Sequence, residues 1–236
     1  MRGVLFDLDG TLLDIDLASF IARYFQSLAE FSMPLLPPGV DAGSFVDAIH
    51  AGTRAMMSRH PGRTNRAVFT EEVRRLIGLD LDAVWSEYER FYREMFPRLR
   101  EGAGPAPGAR AAVTAALDLG ATVVIATNPI FPLAAVRERM AWAELDDLPI
   151  AAVTSFETMT ACKPDGTYFR EAAALAGLDA RECLMVGDDR YLDMPAADVG
   201  MRTFFVGDAD GAWADSSGTL DDLARLLPLL LRASAG

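Results

Sequence analysis

Lysine is almost missing from this chain: of its 22 basic residues only Lys163 is a lysine, and the rest are arginine. Cysteine is nearly as scarce. Cys162 and Cys183 stand alone, which excludes a disulfide framework or a four-thiolate zinc site and suits a reducing, cytoplasmic compartment. The two histidines, His50 and His60, lack the spacing of a metal pair and receive no role. Long apolar runs are absent too. Leu226–Leu231 is interrupted by Pro228 and falls far short of the roughly 20 residues a bilayer crossing needs. No signal peptide is visible, because strand-like residues begin at Gly3. Positive charge is in deficit, with 34 acidic residues against 22 basic ones and a net charge of -12. That balance lacks the cationic footprint of a nucleic-acid binder and disfavours anionic membranes. Apolar residues, by contrast, make up 51% of the chain, ample for a core. The 236 residues suit one fold carrying an insertion better than two large domains.

Five short apolar runs end in small or acidic residues: Gly3–Leu8, Ala121–Thr127, Ile150–Ser155, Cys183–Gly187 and Thr203–Val206. Their length and β-branched content predict buried parallel strands. Helical patterns over Ala109–Leu119, Leu133–Trp142 and Tyr168–Ala176 alternate with them, the first and last stopping at Gly120 and Gly177. The expectation is an α/β fold with a doubly wound, mostly parallel sheet and ligands beyond the carboxyl ends of its strands. The interval from Asp14 to Pro107 is too long for an ordinary crossover. Apolar residues recur on one helical face in Leu17, Phe20, Ile21, Tyr24, Phe25 and Leu28, and again in Trp85, Tyr88, Tyr92 and Met95. A Gly/Pro-rich stretch, 102–108, closes the interval. An inserted α-helical domain over residues 15–106 is therefore expected, with the core formed by 1–14 and 107–236. Its functional reading is a lid.

The strand ends carry the chemistry. In Phe6-Asp7-Leu8-Asp9-Gly10-Thr11 the two carboxylates lie two residues apart, about 6–7 Å along a strand, on one face. So placed, one can attack a reacting centre while the other handles the leaving group's proton. Thr127-Asn128-Pro129 ends the second strand and offers a hydroxyl and an amide to an oxyanion. Cys162-Lys163-Pro164-Asp165 puts the single lysine at a helix start, wrong for the macrodipole and right for a phosphoryl group. Gly187-Asp188-Asp189 and Asp193 crowd carboxylates that need a cation, and Mg²⁺ is the natural hard-oxygen candidate.

Four such segments in this order resemble the haloacid dehalogenase-like (HAD) superfamily over residues 1–14 and 107–206. The resemblance implies a Rossmann-like core, and the insertion after the first motif looks like the family's C1-type helical cap. The 34 residues between Asn128 and Lys163 are too few for the alternative cap. It further implies a Mg²⁺-dependent phosphatase acting on a small phosphorylated metabolite through an aspartyl-phosphate. Asp7 would be the nucleophile and Asp9 the general acid and base. Thr127, Asn128 and Lys163 would hold the phosphoryl oxygens. The metal would take the Asp7 carboxylate, the Asp9 backbone carbonyl and the acidic cluster. Asp188 is the expected direct ligand and Asp189 the candidate second one. Asp193 is expected to act through water or by orienting Lys163.

Three alternatives remain beside this reading. Dehalogenation would leave Asp9 and the acidic cluster without a purpose. A phosphomutase differs mainly in whether the lid excludes water, and a non-catalytic ligand-binding module would not need an intact nucleophile. Within the insertion, the basic island Arg59–Arg66 reads as a solvated loop or as a contact to an anionic part of the substrate. Cys162 reads as a small buried thiol. The aromatic stripes read as core, with Phe20 and Tyr24 as candidate substrate contacts. Substrate identity and oligomeric state are not legible.

Overall fold

The computed structural model describes residues 1–208 and 213–232. In chain order, β1 (Gly3–Phe6) and β2 (Leu13–Asp14) precede four helices, α1 (Leu17–Ser32), α2 (Ala42–Met57), α3 (Asn65–Ile77) and α4 (Trp85–Glu94). Then follow β3 (Gly104–Pro105), α5 (Ala109–Asp118), β4 (Thr122–Ile125), α6 (Leu133–Trp142), β5 (Ala152–Val153) and α7 (Gly166–Ala174). The chain continues through β6 (Cys183–Gly187), β7 (Arg202–Val206), β8 (Ser216–Gly218) and α8 (Leu220–Arg232).

Six strands form one parallel sheet in the order β5-β4-β1-β6-β7-β8. Because side chains alternate along a strand, each central strand feeds two cores. Val4 and Phe6 of β1, Val123 and Ile125 of β4, and Leu184 and Val186 of β6 join one apolar cluster with α5, α6 and α8. Leu5, Val124 and Met185 join a second cluster with α7. This is the doubly wound α/β arrangement the sequence predicts. The strand order reverses between β1 and its neighbours β4 and β6, so a crevice opens at their carboxyl ends.

The strands are shorter than the apolar runs that predict them. β1 stops at Phe6 because Leu8 O accepts from both Leu12 N and Leu13 N, turning the chain back. The run Ile150–Ser155 keeps ladder geometry only at Ala152–Val153, on the sheet edge. Two elements escape the pattern altogether. β8 is Ser-Ser-Gly and has no apolar signature, and α8 carries Pro228 inside it, which reads as a break.

β2 and β3 pair antiparallel, Leu13 with Pro105 and Asp14 with Gly104, so the chain leaves for the four helices and returns at one point. Ala106 N adds a bond to Leu12 O at 3.0 Å. α1 and α2 begin at Asp16 and Asp41, whose carboxylates accept from Ser19 N and Ser44 N. The helices meet the sheet layer through aromatics. Phe20 packs edge-on against Phe96 and Trp142, whose own rings stack at 5.5 Å. Asn65, fully buried at the start of α3, donates to Pro129 O at 3.0 Å, while its backbone N–H bonds Met159 O.

Phe20 has no exposed surface. Phe20→Ala is expected to cost about 3–5 kcal/mol of unfolding free energy, read from urea titration. A loss below about 1 kcal/mol would contradict this packing.

Candidate active site

The crevice at the carboxyl ends of β1, β4 and β6 holds a cavity of about 370 Å³. Its lining includes Asp7, Asp9, Thr127, Asn128, Lys163, Asp188, Asp189 and Asp193, so segments far apart in sequence meet at one place. Asp7 directly follows β1, where its N–H still bonds Val186 O at 2.8 Å. Lys163 reaches in from the loop before α7 and is only 3% exposed. Its Nζ donates to Asp7 Oδ1 and to Asp193 Oδ1, both at 2.6 Å. The lysine sits outside the helix, which starts at Gly166 and is capped by Asp165.

Two glycines make this geometry possible. A Cβ on Gly187 would lie 2.1 Å from Asp193 Oδ2, so only glycine lets Asp193 fold back over the end of β6. Gly10 has φ +89, and a Cβ there would meet Asp188 Oδ2 at 2.5 Å. Asp188 is half-buried and accepts from Thr11 Oγ1 at 2.8 Å.

Carboxylate oxygens of Asp7, Asp188 and Asp193 lie within 4.8 Å of one another. Asp189 is not one of them. Its Oδ1 is taken by the backbone N–H groups of Tyr191 and Leu192, at 2.7 and 3.0 Å, which forms the turn that carries Asp193 inward. Asp193 thus stands in the acidic group where Asp189 was expected. Three carboxylates face one ammonium, so negative charge is in excess. Burial, the largest influence, pushes Asp7 up to about 8, although Lys163 opposes it. Asp188 is also raised, chiefly by burial. Asp193 and Asp7 in turn hold Lys163 above its ordinary value against the effect of its own burial.

Asp9 follows a different course. Its Oδ2 pairs with Nη1 of Arg139, a side chain on α6 that is 1% exposed and lies over the Phe131 ring at 4.5 Å. Asp9 Oδ1 and Arg139 Nη2 are buried without a partner among the described residues. The sequence reading missed Arg139. The signal was available: it falls on the apolar stripe of α6 with Ala135, Val136 and Met140, where a charge demands a partner. Thr127 is buried beneath the cavity, and its carbonyl accepts from Tyr168 and Thr154 hydroxyls. Asn128 Oδ1 accepts from Lys163 N at 3.2 Å, which ties the second and third motifs together.

Residues named on weaker grounds lie elsewhere. In the basic island Arg63 pairs with Glu71 and Arg66 with Asp82, while His60 binds Asn65 Oδ1 at 2.7 Å. Burial pushes the Cys162 thiol up to about 12, as befits an inert side chain. Phe20 belongs to the aromatic core; Tyr24 borders a second, apolar cavity beside the first.

The model of the haloacid dehalogenase-like hydrolases matches residues 1–199, and the chain belongs to that family. A phosphoglycolate phosphatase of Caulobacter vibrioides is 27% identical over 192 residues, covering 78% of this chain and 70% of that protein. An N-acetylmuramic acid 6-phosphate phosphatase of Pseudomonas aeruginosa is 28% identical over 208 residues, covering 86% and 80%. The crystal structure of a HAD phosphatase from Thermococcus onnurineus superposes with a TM-score of 0.59 at 22% identity, covering 96% of this chain and 98% of its own.

Removing one member of a buried ion pair strands the other. Arg139→Met is therefore expected to lower stability by about 2–4 kcal/mol, somewhat below the fully buried case because Asp9 keeps 14% of its side chain exposed. In a denaturation double-mutant cycle with Asp9→Asn, the two losses should fall well short of additive. Strict additivity would mean that the pair does not couple.

Proposed function

We propose that this chain is a Mg²⁺-dependent phosphatase that hydrolyses a small phosphate monoester through an aspartyl-phosphate on Asp7. The observation that carries the proposal is the buried Lys163 ammonium bridging Asp7 and Asp193 in the cavity that also holds Thr127, Asn128 and Asp188. The phosphatase names of the two relatives support the same chemistry.

Asp7 Oδ1 is held by Lys163, while Oδ2 takes no hydrogen bond from a described residue and is the attacking atom. It forms a bond to phosphorus as the bond to the leaving oxygen breaks, in line. Asp9, which takes up a proton on Oδ1 as the protonated monoester binds, hands it to that oxygen while Arg139 holds Oδ2. Water then attacks phosphorus, Asp9 takes its proton, and the bond to Asp7 breaks. Splitting the hydrolysis in two spares water from displacing the alkoxide directly. Thr127 and Asn128 donate to the phosphoryl oxygens, and Lys163 neutralises part of their charge.

The donor set fits Mg²⁺: hard carboxylate oxygens of Asp7 and Asp188 within reach of each other, and more negative charge than one ammonium balances. Those two residues and the Asp9 carbonyl would hold the ion, with Asp193 orienting Lys163. When bound, Mg²⁺ supplies charge neutralisation to the phosphoryl group. Residues 15–106 serve in this reading as the cap that closes over the crevice, stapled to the core by β2 and β3.

Asp7→Asn should lower the rate of phosphate release by roughly 10⁴-fold or more, since an amide is no nucleophile. Near-normal turnover would refute the assignment. A second expectation concerns pH. Raising Asp7 from the carboxylate range to about 8 means that the folded chain holds this proton more tightly than the unfolded one. The resulting stability is complete below about pH 4 and is lost as pH rises toward 8. Mg²⁺, which binds the ionised cluster of the folded state, offsets that loss. In chelator the Tm should therefore fall from pH 5 to pH 8, and saturating Mg²⁺ should raise it more at pH 8. A metal-induced shift equal at both pH values would contradict the metal assignment.

A further inference from the structure

Beside the acidic crevice lies a second cavity of about 240 Å³, enclosed by α1, α2 and α4, Phe69 of α3, and the core loop at Ile130–Pro132. Ile21, Ile130 and Phe131 line both, so the two spaces meet at one apolar wall. The lining of the acidic crevice has apolar members as well, among them Leu17, Ile21, Phe131 and Leu192.

The four hydroxyl groups lining the second cavity are already hydrogen-bonded. Tyr24 and Tyr92 share a hydroxyl–hydroxyl bond of 2.9 Å, Tyr88 bonds Ser32 at 3.1 Å, and Thr53 donates to Ile49 O at 2.9 Å. Two guanidiniums that lie over its walls are also committed. Arg139, over Phe131, pairs with Asp9, and Arg66, over Trp85, pairs with Asp82. His50 lies against the Phe25 ring at 4.4 Å between centroids. A carboxylate placed here would lose its water, and the two guanidiniums over its walls are already paired, a costly burial. A polyhydroxylated sugar would meet few open hydrogen-bond groups. An alkyl chain or a single aromatic ring loses nothing by entering. The volume also suffices, since benzene enters an apolar cavity of about 150 Å³.

We propose that this cavity binds the apolar group of the substrate, and that the phosphate monoester this chain takes is an alkyl or aryl ester rather than one bearing a carboxylate or a sugar. The inference rests on the phosphatase reading and narrows its substrate class. The phosphoryl group lies against Lys163 and Asp7, and the organic part extends past Ile21 and Phe131 into the space among the helices.

The test uses the full chain with Mg²⁺. Phosphate release is followed from ethyl, butyl and hexyl phosphate, whose leaving alkoxides are electronically alike, and from phosphoglycolate. Binding of ethylphosphonate and hexylphosphonate, which cannot be hydrolysed, is measured by calorimetry. Each buried methylene should tighten binding about three- to fourfold, so hexyl over ethyl should gain on the order of 100-fold in both kcat/KM and Kd. Hexyl phosphate should also surpass phosphoglycolate. Thr53→Phe, which fills the cavity from α2, should abolish the chain-length gain; should that variant not fold, the wild-type phosphonate series still decides. Ester cleavage with no chain-length dependence, or with phosphoglycolate preferred, overturns the assignment while leaving the phosphatase intact. Length-dependent phosphonate binding without cleavage of any ester supports the cavity and removes the phosphatase reading instead.

Discussion

One buried ammonium organises the active crevice. Lys163 has almost no access to water, and an unpaired charge at that depth would be prohibitive. Its two carboxylate partners make the burial tolerable, and through it Asp7, just past β1, is tied to Asp193 in the turn after β6. The third connection is Asn128, which accepts from the backbone N–H of Lys163 and so draws in the loop after β4. One buried side chain and its backbone thus link three of the segments that line the crevice. Asp7 shows the residual imbalance: burial outweighs the lysine, leaving a carboxyl group that holds its proton more tightly than an ordinary aspartate.

Around that centre the fold supplies two kinds of support. The parallel sheet brings the carboxyl ends of its central strands together by topology alone, and Gly187 and Gly10 remove the side-chain bulk that would keep Asp193 and Asp188 away. The helical insertion contributes the apolar half. Its aromatic faces bury against Trp142 and Phe131 of the core, which secures the insertion and leaves a largely apolar space alongside the charged one. Phe131 joins the two regimes, with Tyr24 on the apolar side and the Arg139 guanidinium, itself tied to Asp9, over its ring.

Much of this was readable in the chain because the signals are local. Central strands declare themselves as β-branched apolar runs, and α6 occupies the span its periodicity predicts. The lone lysine stood out by composition. What escaped depends on tertiary context. Which of Asp188, Asp189 and Asp193 turns inward is decided by a turn in which Asp189 is consumed by backbone amides, and nothing in the spelling Gly-Asp-Asp distinguishes the acids. Arg139 was one arginine among many until its place on an apolar helical stripe was considered. β8 has no apolar side chain to reveal it, and α8 runs through a proline. The second cavity is the clearest case: the stripe Phe20, Ile21, Tyr24, Phe25 has the same periodicity whether its members fill a core or line a space, and only packing shows that Phe20 does the first while its neighbours do the second.

The most direct test of the central claim is a crystal structure with Mg²⁺ and beryllofluoride, which mimics a phosphoryl group on a carboxylate. The account predicts an adduct on Asp7, its fluorines contacting Thr127, Asn128 and Lys163 and its metal touching Asp188. An adduct on another residue, or fluoride and metal bound away from Lys163, would contradict it.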